Sequence, residues 1–597
     1  MREISFTITS LQALYREGTV TPVTVAAEAL RRAQNPDYPH VWITLLPREQ
    51  VMEYAGRLDL QRFDELPLYG VPFAIKDNID LAGAPTTCAC PAFAKLPQRA
   101  ATVVERLIAA GAIPIGKTNL DQFATGLVGT RTPYGVCHSV FDSQYLSGGS
   151  SSGSGVAVAS GMVAFALGTD TAGSGRVPAA FNHIVGLKPT RGLLSTRGVF
   201  PACRSLDCVS IFAGTCADAQ TVMRVTEALD EEDPYSRSAQ SVSTASKPRV
   251  GVPPRSDWEF FGDAAAQALF ECAIAELETS DVEIVEFDFA PFRDAAQLLY
   301  AGPWVAERRW ALGDFLAEHG EAMDPTVRGI ISGADRYRAA DAFDGMYRLE
   351  ALRRKAAREW AKMDAILLPT TGTIYTIAEV QADPVRLNTN LGYYTNFVNL
   401  LDLAGVAIPA GFRSNGLPFG VTLMGPAFSE SLLLALADEL HRKLATEIGK
   451  TGLELSQQPK VSPSKGQEIH LAVVGAHLSG QPLNRQLTQR GGRLVKTTRS
   501  ARHYRLYALA NTTPPKPGLV RVKEDAGDGI EVEVWALDAK AFGEFVAEVP
   551  PPLAIGNALL EDGSLVKSFV CEPSALEGAE EITRFGGWRG YLASRTR

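Results

Sequence analysis

Two glycine- and serine-rich stretches, residues 148–155 and 168–176, flank one apolar segment, and that arrangement restricts the fold more than any other feature of the chain. The first reads Gly-Gly-Ser-Ser-Ser-Gly-Ser-Gly; the second reads Gly-Thr-Asp-Thr-Ala-Gly-Ser-Gly-Arg. Residues 156–167 between them are apolar nearly all round, which predicts a helix inside a core rather than on a surface. Glycines at both ends let backbone approach backbone, or a ligand, closely. Upstream, Lys76 follows the apolar run Phe73-Ala74-Ile75, and desolvation there favours the neutral amine. Serines on glycine loops together with a neutral lysine are the parts of a serine nucleophile that needs no histidine.

The chain of 597 residues has room for two or more domains. Helical patterns are expected from Ser10 to Arg16 and over 24–33, 101–110 and 429–444. Strands are expected within 68–79, 113–115, 365–370, 406–411 and 419–424. A polar, proline-containing stretch then divides the chain into residues 1–453, a linker at 454–468, and a small α/β domain at 469–597. In the last part, 470–478 and 530–537 read as strands, and Asp562-Gly563 marks a hairpin turn. A net charge of −9 argues against a nucleic-acid scaffold. The 8 cysteines form no framework, and Cys88-x-Cys90 lacks a second pair, so neither a metal nor another cofactor is expected. Unpaired thiols and an N-terminus without an apolar core predict a cytoplasmic protein with no membrane contact.

Two short motifs compete for attention. Residues 111–118 fit the P-loop pattern, but a helix precedes them, and Pro114 removes an amide that phosphate would need. Polar support is the expected role of Lys117 and Asn119. Residues 149–153 fit the nucleophile elbow with Ser151 at its centre, yet the preceding residues are too polar for the buried strand an elbow requires. No Asp-then-His pairing precedes the linker. His319 and His441 read as surface or helix-end residues, and His138 and His183 as locally satisfied ones. Ser151, Ser152 and Ser154 read as loop hydrogen-bonders, and Asp170 and Arg176 as ions that fix the second loop.

Both loops, the segment ending at Lys76-Asp77, and residues 117–119, 369–370 and 405–425 resemble the amidase signature family over about residues 1–450. The resemblance implies a fold of α/β class, a mixed sheet flanked by helices. It implies Ser174 as nucleophile, Ser150, twenty-four positions earlier, as proton bridge after a cis peptide, and Lys76 as terminal base. The amides of Thr171, Ala172, Gly173 and Ser174 are then candidates for an oxyanion hole.

Ala172 and Gly175 depart from the usual family pattern, and with residues 169–180 they resemble the allophanate hydrolase branch. That branch carries a C-terminal domain similar to the γ-glutamylcyclotransferase-like fold, and residues 473–484 look like its opening strand and loop. Residues 300–308 resemble the branch's recognition segment, which implies that Tyr300 and Arg308 bind substrate. A bare reading of the residues would instead place Tyr300 in a core and Arg308 on a surface. His477 is the candidate in the C-terminal domain for a decarboxylation step. The implied activity is hydrolysis of the small substrate allophanate by a homodimer, with urea carboxylated by a separate protein. The alternative is an amidase for another carboxylated amide such as malonamate, with the C-terminal part mainly an assembly module. Tyr504, Leu506, Tyr507, Phe542, Phe545 and Trp588 would then cover a partner or their own core.

Overall fold

The computed structural model describes residues 4–240, 247–461, 469–510, 512–523, 525 and 527–595. The linker expected at 454–468 falls partly outside them. The chain divides into two units, Met1–Pro463 and Ser464–Arg597.

The first unit is built on eleven strands: β1 (Trp42–Leu45), β2 (Pro72–Lys76), β3 (Ile113–Thr118), β4 (Phe165–Asp170), β5 (Val185–Lys188), β6 (Cys208–Ala213), β7 (Arg249–Val252), β8 (Glu283–Glu286), β9 (Ala365–Pro369), β10 (Leu403–Phe412) and β11 (Pro418–Pro426). They form one sheet in the order β1-β3-β2-β4-β6-β5-β10-β11-β9-β7-β8. The sheet is mixed. β2 runs parallel to both β3 and β4, whereas β4, β6, β5, β10 and β11 are antiparallel neighbours. β2 and β4 are buried at every position, which is why their apolar residues, 73–75 and 165–167, stand in a row rather than alternating with polar ones.

Residues 156–167 do not form one helix. A helix over Ser152–Ala159 gives way at Gly161, which sits at φ 69°, and β4 begins at Phe165. An apolar run buried all round satisfies a helix and a central strand equally, so its composition could not locate the break. The first helix, Ile8–Arg16, is capped by Thr7 rather than Ser10; the Thr7 hydroxyl accepts from the Ser10 amide. The strand expected at 470–478 is shorter, Ile469–Val473.

His441 is fully buried in the helix Glu430–Leu444, not at the surface, and neither of its ring nitrogens has a partner. His183 is also buried, with Nδ1 unpartnered, whereas His138 Nδ1 is 2.8 Å from the Ser139 carbonyl oxygen. Burial pushes His441 down to about 3, with help from His183 and Arg442, and pushes His183 down to about 4. Because both folded values lie below the unfolded value, their contribution is complete above about pH 6.5 and is lost as the pH falls. Buried Asp218 and Asp207 are raised and act in the opposite sense. A comparison with His441→Leu isolates the histidine. From pH 7 to pH 5 the wild type is expected to lose about 2 kcal/mol relative to the variant in urea unfolding. A constant difference across that range would refute the prediction.

In the second unit, Ile469–Val473 pairs antiparallel with Glu531–Leu537 and parallel with Leu565–Cys571, inside a five-stranded sheet. The strands Leu553–Leu559 and Leu565–Cys571 form the hairpin turned by Asp562 and Gly563. Tyr504, Leu506, Phe545 and Trp588 are buried in this unit's own core, with Phe542 packed against it. Tyr504, Leu506, Phe545 and Trp588 thus support the fold of the unit itself, while Tyr507 and Phe542 are only partly buried.

Candidate active site

β2 sets Lys76 at its last position, between β3 and β4, with no exposure to solvent. Its Nζ lies 2.7 Å from Ser150 Oγ and 2.8 Å from Thr169 Oγ1. Burial pushes the Lys76 ammonium down to about 7, against the opposing pull of Asp121, Asp207 and Asp170. At neutral pH a large share of it is therefore an unprotonated amine.

Ser150 follows a cis peptide at Gly149. A Cβ on Gly149 would run into Asp121 Oδ2, so only glycine fits there. The Asp121 carboxylate gathers the amides of Val128, Gly129 and Arg131 at 3.0–3.2 Å, and the Asp121 amide donates to the Ser150 carbonyl at 3.0 Å. These contacts tie the first loop to the turn beside it. Ser151, Ser152 and Ser154 open the helix that follows, donating to the carbonyls of Thr169, Asn119 and Leu167. Ser151 is thus tied to β4. In the other rejected motif, residues 113–118 are β3 itself, and Lys117 forms a fully buried ion pair with Asp77 at 3.1 Å.

Ser174 sits between β4 and the short helix Val177–Phe181, 3 % exposed. Its Oγ donates to the Gly126 carbonyl at 3.4 Å. The loop is organised by Asp170, whose oxygens accept from the amides of Gly173 (2.9 Å) and Gly175 (3.0 Å) and from Arg176 Nε and Nη2 (2.9 and 3.0 Å). Burial alone would raise the Asp170 carboxyl, but the Arg176 guanidinium outweighs it and holds the carboxyl low. The Gly173 amide, one of the four expected in the oxyanion set, is therefore committed to Asp170.

The structure adds three residues that the sequence did not single out. Thr169 is the second partner of Lys76. Asp207, pushed up to about 6 by burial, accepts from Thr171 Oγ1 at 2.5 Å and from the Ala202 and Cys203 amides. Asn78 joins the same network through Thr169. Asp207 lies 36 residues from Thr171, so nothing local announced the contact.

Arg308 is 3 % exposed, on the helix Val305–Leu312, and is not a surface residue. Its guanidinium lies 5.7 Å from the centre of the Tyr300 ring, and Nη1 donates to Thr125 Oγ1 at 2.9 Å. Nη2 is buried without a partner. A cation with one face anchored and one donor unpaired is suited to an anion. Among the described residues, no cluster of three or more His, Cys, Asp or Glu is arranged to hold a metal, and no helix is long and apolar enough to cross a membrane.

In the second unit His477 stacks on Phe569 (centroids 5.0 Å apart) and meets the edge of Phe545. Its Nε2 is 2.8 Å from Gln486 Oε1, and burial lowers its pKa. It lines a cavity of about 200 Å³ that also includes Gln486 and Lys516.

A buried lysine, a serine behind a cis peptide and a second serine on a glycine loop, all carried by one mixed sheet, define an amide-hydrolysing class. Residues 25–434 match the family described as Amidase, and the chain belongs to that family. Residues 469–593 match the Allophanate hydrolase C-terminal domain. The chain is 44% identical over 586 residues to urea amidolyase of Saccharomyces cerevisiae, covering 95% of this chain and 32% of that protein. Urea amidolyase of Lachancea kluyveri is 46% identical over 578 residues, covering 93% of this chain and 31% of its own. The chain therefore spans about a third of the length of these two relatives. The solved structure of Kluyveromyces lactis allophanate hydrolase superposes with a TM-score of 0.78 at 42% identity, covering 99% of both chains.

Proposed function

We propose that this chain hydrolyses allophanate, the carboxylate of urea, at its primary amide. The observation that carries the reading is the contact of Lys76 Nζ with Ser150 Oγ at 2.7 Å in a fully buried setting. Neutral Lys76 takes a proton from Ser150, which takes one from Ser174. The Ser174 bond to Gly126 is long, so the hydroxyl is only weakly held there. Ser174 Oγ attacks the amide carbon, and the oxyanion that forms meets the amides of Thr171, Ala172 and Ser174. The relay reverses, the leaving nitrogen is protonated and departs as ammonia, and water releases the acyl group as N-carboxycarbamate. Arg308 holds the substrate carboxylate through its unpaired Nη2, with the Tyr300 ring set beside the guanidinium. The product then loses carbon dioxide, and His477 in its cavity is the residue we assign to that step. An enzyme that carboxylates urea must supply the substrate.

The test is ammonia release from allophanate, malonamate and acetamide by purified protein. Allophanate is expected to be preferred, and equal turnover of acetamide would sink the reading. Arg308→Ala should lower kcat/KM for the carboxylated amides by about 10²-fold, and for acetamide hardly at all, since a charge-assisted pair is lost only where a carboxylate was bound. Equal losses on all three would remove the clamp. Preference for malonamate over allophanate would favour the alternative amidase reading.

A further inference from the structure

Asn78 stands two residues beyond the base and is 1 % exposed. Its backbone and side chain are both pinned by one residue. The Asn78 carbonyl accepts from the Phe200 amide at 2.7 Å, and Asn78 Nδ2 donates to the Phe200 carbonyl at 3.1 Å. Nδ2 also lies 3.4 Å from Thr169 Oγ1, the same oxygen that Lys76 Nζ holds at 2.8 Å. These contacts fix the orientation of the side-chain amide. With Nδ2 fixed on Phe200, Oδ1 must point away from it, and Oδ1 is buried with no hydrogen-bond partner.

A rigid, buried, unpaired carbonyl oxygen is costly unless a ligand supplies a donor. Arg308 Nη2 is an unpaired donor and suits an anion. Asn78 Oδ1 is the reverse, an unpaired acceptor that suits an N–H. A carboxylated primary amide carries one group of each kind. We infer that Asn78 is a substrate-binding residue whose Oδ1 accepts a hydrogen bond from the amide –NH2 that becomes the leaving ammonia. The inference rests on the reading of the site given above, and it adds to it the group by which an amide is told from an acid or an ester. A pocket that hydrogen-bonds a substrate N–H rejects analogues lacking it, because its own acceptor is then left unpaired.

The experiment measures binding by calorimetry in a Ser174→Ala background, which stops turnover. Malonamate and malonate are the probes; they share one carboxylate and differ in the –NH2. Asn78→Leu, and in a second protein Asn78→Ser, is expected to raise the Kd for malonamate about tenfold. The Kd for malonate should stay within twofold or fall. Retained malonate binding also reports that the variants are folded. Should both ligands weaken equally, or neither change, Asn78 is a structural residue and the inference is overturned. If the Ser174→Ala protein binds neither ligand, the reading of the pocket as a site for a carboxylated amide fails, and the role of Asn78 fails with it. If Ser174→Ala still releases ammonia from allophanate, the reading of the nucleophile fails, whatever Asn78 does.

Discussion

Ser174→Ala is expected to lower kcat for allophanate by about 10⁶-fold, leaving only the acceleration that amides and positioning supply without a nucleophile. Lys76→Met should cost about 10²–10⁴-fold, the usual share of a positioned base. The wild-type pH profile gives a second, independent reading. Lys76 acts only as the free amine, and burial has brought it down to about 7. kcat/KM should therefore rise about tenfold per pH unit below about pH 7 and level off above it. Lys76→Met should lose that rising limb. A wild-type profile flat from pH 6 to pH 8, or a Lys76→Met protein that keeps the limb, would assign the proton transfer to another group.

Arg176→Met is expected to destabilise the N-terminal unit by about 3–5 kcal/mol, because Asp170 would be left as a buried charge without its partner. Asp170 and Arg176 are both fully buried, and Asp170 also holds the amides of Gly173 and Gly175 on either side of Ser174. The loss should therefore appear in stability and in turnover together. Asp170→Asn combined with Arg176→Met removes both charges and should recover most of the stability but little of the activity, since the loop amides would face a weaker acceptor. Urea unfolding of the single and double variants measures this. A single variant within 1 kcal/mol of wild type would show that the pair does not hold the loop.

What the sequence disclosed was largely local. Lys76, Ser150 and Ser174 stand in segments whose glycines, apolar flanks and order along the chain are visible without coordinates. The α/β class could be expected because strand-like and helical segments alternate as far as the polar stretch near residue 460, whereas the mixed sheet was implied only by the resemblance to the amidase signature family. What stayed hidden depended on distance or on ambiguous composition. Thr169 sat in plain view within the second loop, but its bond to Lys76 spans 93 residues. The commitment of the Gly173 amide to Asp170 is a matter of loop geometry, and one loop sequence permits several amide directions. His441 shares its helix end with Arg442 and Lys443, which suggests solvent, although its own ring faces the core. Arg308, beside Arg309, invites the same surface reading from its residues alone, and only the resemblance to the recognition segment set that reading aside. Adjacent helical positions point about 100° apart, so a charged pair can have one member in water and the other buried.

The division of labour between sheet and helices has a consequence for how such a catalyst can change. Lys76 is held by β2 with a parallel neighbour on each side, and the Asp170 loop is clasped by Asn399 Nδ2 on the Asp170 carbonyl at 2.8 Å. Arg308 comes from a separate helix and reaches, through the tip of one long side chain, Thr125, the neighbour of the Gly126 that Ser174 contacts. On the roles proposed above, bond-breaking machinery and choice of substrate are carried by parts of the chain that can vary independently. A drift in the helix can retarget the same hydrolytic centre to a differently charged amide, while a comparable drift in β2 or the Asp170 loop would simply extinguish it.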